Sequence, residues 1–157
     1  MQAPRHLGWE AGPQDGDRAR VWLADDSALE AAHTRGVLSG ARAEVETFAN
    51  GASLLEHLAQ PGVVPPDLLL LDWLMPGVSG LDVCRFVRER FSPAQLPILV
   101  LTASSCEEDL AEAFGAGAND YVTKPARAVD LLARVRTLLQ ARRDAEGLRE
   151  REREHAR

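Results

Sequence analysis

Five polar residues stand out because each ends or closely follows an apolar run. Asp25 and Asp26 follow Val21-Trp22-Leu23-Ala24, and Asp72 follows Leu68-Leu69-Leu70-Leu71. Thr102 follows Ile98-Leu99-Val100-Leu101, and Lys124 comes just after Tyr121-Val122. Brought together, they would make a definite kind of pocket. Three crowded carboxylates cannot all ionise unaided. A hard divalent cation relieves the repulsion, and an oxygen-rich donor set suits Mg²⁺. A lysine across the pocket adds a movable positive charge, and a threonine hydroxyl adds a hydrogen-bond donor. Metal, ammonium and hydroxyl can each take one oxygen of a tetrahedral dianion. An Asp72 oxygen is then free to attack phosphorus in line.

Singly, each residue also fits a plainer role: Asp25-Asp26 a turn or cap, Asp72 a turn starter before Pro76 and Gly77, Thr102 a strand residue, Lys124 a solvated charge, Tyr121 packing. Their positions argue for the joint reading. Independent turns and caps would not all fall at the ends of strands one, three, four and five.

Those strands alternate with helical patterns. Ser27 to Leu38 has helical periodicity, and Ser27 with Glu30 forms a capping box at its start. Val45 to Phe48 is a weak second strand. Asn50 caps a helix to about Gln60, which Pro61-Gly62 ends. After Asp72 comes a loop, Trp73 to Gly77. Ser79 starts a helix to about Phe91, with Val83, Phe86 and Val87 on one face. Ser104 and Ser105, with Glu107 and Glu108 three residues on, open a helix that stops at Gly115 or Gly117. Pro125 suits the first turn of a last helix, which carries Val129, Leu131, Leu132, Val135, Leu138 and Leu139. Fully apolar strands are buried on both faces, as in a parallel sheet covered by helices. Serial strand–helix units therefore predict a doubly wound α/β fold, whose ligand crevice lies beyond the carboxyl ends of the strands.

The chain has 157 residues, a hydrophobic fraction of 45%, a charged fraction of 27% and a net charge of −6. That suits one soluble globular domain and argues against a nucleic-acid partner, which would want a basic surface. No apolar run approaches the roughly 18 residues of a membrane span, and the first 18 residues lack the apolar stretch of a secretion signal. Cys84 and Cys106 read as buried thiols in a reducing cytoplasm. His6, His33, His57 and His155 show no metal-ligand spacing.

In this order, Asp25-Asp26, Leu71-Asp72-Trp73-Leu74-Met75-Pro76-Gly77 with Ser79-Gly80, Leu101-Thr102-Ala103 and Tyr121-Val122-Thr123-Lys124-Pro125 resemble the receiver domain of two-component response regulators, over about residues 19–140. The resemblance implies a flavodoxin-like, five-stranded parallel sheet of order 2-1-3-4-5 with five helices, the last extended. It implies that Asp72 accepts a phosphoryl group from a histidine kinase or phosphotransfer protein. It further implies that Asp25, Asp26, Asp72 and the Leu74 carbonyl hold Mg²⁺, that Thr102 and Lys124 bind phosphoryl oxygens, and that Thr102 and Tyr121 form the switch. A cis bond is expected at Lys124–Pro125. Ala126 departs from the phenylalanine that many relatives carry there. Homodimers through the face around strand five or the last helix are a further implication. A phosphohydrolase of the haloacid-dehalogenase type would need a second aspartate where Leu74 stands. A flavin mononucleotide binder would need amides and hydroxyls where the strand-end loops are acidic.

The expected organisation is a flexible lead-in over 1–18, a receiver domain over 19–140 and a charged helical tail or linker over 141–157. The tail reads either as a solvated helix extension or as the start of a coiled coil along Leu138, Ala141, Ala145 and Leu148, with Gly147 weakening it. The 32 residues after Pro125 are expected to be too few for a DNA-binding output domain in addition to the last helix. Trp22 is expected to pack, and Trp73 to be a partly exposed loop ring.

Overall fold

The computed structural model describes residues 18–103 and 106–156. Strands β1 (Ala19–Ala24), β2 (Ala43–Phe48), β3 (Leu68–Asp72), β4 (Ile98–Thr102) and β5 (Asp120–Thr123) form one sheet of order β2-β1-β3-β4-β5. Every neighbouring pair is parallel. Helices α1 (Ala28–Leu38), α2 (Gly51–Leu58), α3 (Gly80–Arg88), α4 (Glu107–Gly115) and α5 (Ala128–His155) alternate with the strands.

The side-chain period of two divides the central strands between two cores. Trp22, Leu69, Leu71, Ile98 and Val100 point to one face, where they meet Leu54 of α2, Val83, Cys84 and Val87 of α3, and Ala113 of α4. Val21, Leu23, Leu68, Leu70, Leu99 and Leu101 point to the other face, against Ala31 and Leu38 of α1 and Leu131, Val135 and Leu139 of α5. Each fully buried leucine stabilises the fold by roughly 1.5–3 kcal/mol. β3 and β4 are buried along their whole length, which is why they read as unbroken apolar runs.

Helix boundaries differ from the sequence reading where local chemistry decides them. α2 ends at Leu58 and α3 at Arg88, each short of the expected stop. Ser79 and Asp82 form a reciprocal capping box on α3, whereas the pair expected at α1 is only half made: Ser27 accepts from the Glu30 amide, and the Glu30 side chain goes elsewhere. Pro125 is not in the first turn of the last helix, because Arg127 is its N-cap. Val129, one of the apolar residues of the last helix, is 82% exposed. Ser104 and Ser105 lie outside the described residues, as does the lead-in before Arg18; the described N-cap of α4 is Cys106. Cys84 is buried as expected, but Cys106 is exposed. α5 runs unbroken through Gly147.

Candidate functional site

Parallel strands all end on the same rim, and that rim gathers the acidic residues. Asp25 directly follows β1, Asp72 is the last residue of β3, and Thr102 is the last residue of β4. Lys124 follows β5, and its amide donates to the Thr102 carbonyl at 2.7 Å, extending the β4–β5 ladder by one residue. The Lys124–Pro125 bond is cis. One carboxylate oxygen each from Asp25, Asp26 and Asp72 lies within 4.8 Å of the others. Asp25, Asp72 and Thr102 are buried, and Asp26 is exposed at the mouth.

The electrostatics are those of crowded anions around one cation. Lys124 Nζ lies 3.3 Å from Asp72 Oδ1 and 3.5 Å from Asp25 Oδ2. Burial is the main cause lifting the Asp72 carboxyl from 3.8 to about 6; Lys124 pulls the other way, and the Asp26 and Asp25 carboxyls add to the lift. Burial works against the Lys124 charge, but a hydrogen bond to Glu30 and the charges of Asp72 and Asp25 outweigh it and hold the ammonium above its usual range. Asp25 uses one oxygen, Oδ1, to accept from the Ser27 amide at 2.9 Å. Its Oδ2 is buried and accepts no hydrogen bond from the described residues. The Lys124 ammonium meets this oxygen only at ion-pair distance, 3.5 Å, which leaves it able to take a further cation. The all-oxygen donor set fits a hard divalent ion.

The residues singled out in the sequence thus converge. Leu74 lies in the loop just beyond β3, its side chain 70% exposed. Tyr121 is half-buried on β5, and its ring meets Phe114 of α4 edge-on at 5.8 Å. Trp22 packs as expected, against Phe48 and His57. Trp73 corrects an expectation: it is buried, only 6% exposed. The first residue of α3 is Gly80, whose amide donates to the Trp73 carbonyl, and a side chain there would occupy the space of the indole. Sequence reasoning missed Glu30. Its spacing from Ser27 assigned it to a cap, whereas it bonds Lys124, 94 residues away.

Comparison with known proteins points the same way. The model of the response regulator receiver domain matches residues 21–136. The phosphate regulon transcriptional regulatory protein PhoB of Rhizobium meliloti is 47% identical over 75 residues, 48% of this chain and 33% of PhoB. The DNA-binding response regulator MtrA of Mycobacterium tuberculosis is 35% identical over 127 residues, 81% of this chain and 53% of MtrA. The chain therefore spans between a third and about half the length of these relatives. Among solved structures, the chemotaxis response regulator CheY4 of Vibrio cholerae superposes with a TM-score of 0.70 at 28% identity, covering 78% of this chain and 99% of that one. The response regulator DrrB of Thermotoga maritima, an OmpR/PhoB homologue, gives 0.69 at 29% identity, covering 79% and 54%. With the sheet order, the convergent strand-end residues and a family match over most of its length, the chain belongs to the receiver domains of two-component response regulators.

Proposed function

We propose that Asp72 accepts a phosphoryl group from the phosphohistidine of a sensor kinase or phosphotransfer protein, with Mg²⁺ bound by Asp25, Asp26, Asp72 and the Leu74 carbonyl. The observation that carries this reading is the buried meeting of Asp25, Asp72 and Lys124, with one oxygen of Asp25 lacking a hydrogen-bond donor. In the transfer, an Asp72 oxygen forms the new bond to phosphorus while the phosphorus–nitrogen bond breaks. The electron pair stays on the imidazole, which takes up a proton. A cation held by Asp25, Asp26, Asp72 and the Leu74 carbonyl would neutralise charge on the phosphoryl oxygens. Lys124 and the Thr102 hydroxyl each bind one of those oxygens. Burial keeps water out and strengthens both contacts.

The consequence is a shift between two conformations rather than steady turnover. Thr102 moving toward the phosphoryl group would give Tyr121 room to turn inward, altering the surface around β5, α4 and α5. That face, or the end of α5, is where copies of the chain would pair. Leu74, where a phosphohydrolase would carry its acid–base aspartate, fits a lasting aspartyl phosphate better than hydrolysis. Among the described residues no helix is long and apolar enough to cross a membrane; the cytoplasm, where a kinase would present its phosphohistidine, is the compartment we assign. Residues 19–140 are the switch and 141–157 its charged helical tail or linker.

Beryllofluoride, a phosphoryl mimic, tests the assignment. With MgCl₂ it is expected to change the tryptophan fluorescence, because Trp73 is the buried neighbour of Asp72. The same response in Asp72→Ala would overturn the reading.

A further inference from the structure

We propose that Glu30 is a positioning residue for Lys124: a carboxylate outside the aspartate cluster that holds the ammonium at rest and yields it when a phosphoryl group arrives on Asp72. The inference rests on the assignment of Asp72 made above. Three carboxylates approach Lys124 Nζ, and the Glu30 oxygen is the nearest of them, at 2.5 Å against 3.3 Å for Asp72 and 3.5 Å for Asp25.

The reason lies at the start of α1. In a complete capping box the Glu30 side chain would return to the Ser27 amide. That amide is already taken by Asp25 Oδ1, so Glu30 keeps only its backbone share of the cap and turns its carboxylate to Lys124. The Asp25 side chain, by bonding Ser27, thereby frees the competitor for the lysine that faces Asp72.

The Glu30 side chain is 51% exposed and that of Lys124 only 17%. The ammonium therefore sits between an outer, wet partner and an inner, dry one. Moving toward phosphoryl oxygens on Asp72 stretches or breaks the Glu30 contact, and water then solvates the carboxylate. An exposed pair of this kind is weak, so Glu30 biases the position of Lys124 without locking it. Removing the contact should make the pocket a better receptor for a phosphoryl mimic.

The test is beryllofluoride affinity in MgCl₂, read by tryptophan fluorescence, for wild type, Glu30→Gln and Glu30→Asp. Both variants keep the backbone cap. Glu30→Gln should bind about two- to fivefold more tightly, the range expected for loss of an exposed ion pair. Glu30→Asp keeps the charge but draws it back by one methylene, so it should tighten binding like Glu30→Gln. A gain in affinity is not what loss of a merely structural residue would produce. If Glu30→Asp stays closer to wild type than to Glu30→Gln, the effect is one of overall charge and the positioning role is wrong. It is equally wrong if Glu30→Gln binds no tighter than wild type. Should wild type itself fail to bind beryllofluoride, the assignment of Asp72 falls and this inference with it.

Discussion

The ammonium of Lys124 lies 3.3 Å from Asp72 Oδ1, and burial still holds the Asp72 carboxyl near 6 instead of 3.8. The folded chain thus keeps a proton on Asp72 between about pH 4 and 6, where the unfolded chain has released it. Stability falls as pH rises through that window, and the charged carboxylate remains a cost above it. Asp72→Asn removes the cost. Without divalent ions it should be more stable than wild type at pH 7.5 by on the order of 2 kcal/mol. The gap should close below pH 4. Urea midpoints at the two pH values check this, and an equal gap at both would contradict it.

Divalent cations should act on the same charges in the opposite direction. A ligand that binds only the folded chain raises its melting temperature, at roughly 2–4 °C per kcal/mol for a domain of this size. Saturating MgCl₂ is therefore expected to raise the Tm of wild type by several degrees. Asp25→Asn should lose most of that rise, because it neutralises the buried carboxylate whose Oδ2 lacks a donor while an amide oxygen can still accept from Ser27. Thermal scans with MgCl₂ and with chelator give the comparison.

Gly80 allows α3 to begin directly against the loop after β3. A Cβ there would stand 2.7 Å from Trp73 Cε3 and 3.0 Å from the Trp73 Cα. The second contact is backbone and cannot rotate away. Gly80→Ala should cost about 1–3 kcal/mol through overpacking and shift the tryptophan emission as the indole is displaced. Wild-type emission and an unchanged urea midpoint would show that the loop can yield.

Arg142 fastens the far part of α5 to the base of the sheet. Its guanidinium pairs with Asp67 at 2.9 Å and donates to the Gln95 carbonyl at 3.2 Å, while Asp67 also accepts from the Arg20 amide. Truncation after Gln140 should therefore cost about 1 kcal/mol. Truncation after Glu146, which keeps Arg142, should be neutral within about 0.5 kcal/mol. Chemical denaturation of the two shortened chains separates these cases.

Much of this architecture was legible in the chain. Apolar runs such as Leu68–Leu71 carry their own evidence of burial on both faces, and strands that end together bring Asp25, Asp72, Thr102 and Lys124 to one rim. Relations across elements were not legible. Glu30 has the right spacing for a cap, and only the fold shows that Asp25 has already taken the Ser27 amide. Trp73 sits in a loop-like stretch, and its burial depends on the approach of Gly80. The exposure of Val129, by contrast, follows from the helical period: it lies two residues before Leu131, about 200° round the helix from that first residue of the stripe of Leu131, Val135 and Leu139.

α5 begins within a few residues of Lys124 and continues as one helix to His155. Among the described residues, Arg142 is the last of α5 to bond another element, its clasp on the domain, and the 13 residues from Arg143 to His155 run on for about 20 Å. Mechanically this is a lever with two nearly equal arms, the inner one rooted beside the pocket. By the same geometry, a tilt of about ten degrees at the clasp sweeps the tip through roughly 3–4 Å. The root beside the pocket therefore moves by about the same few ångströms as the tip, in the opposite direction.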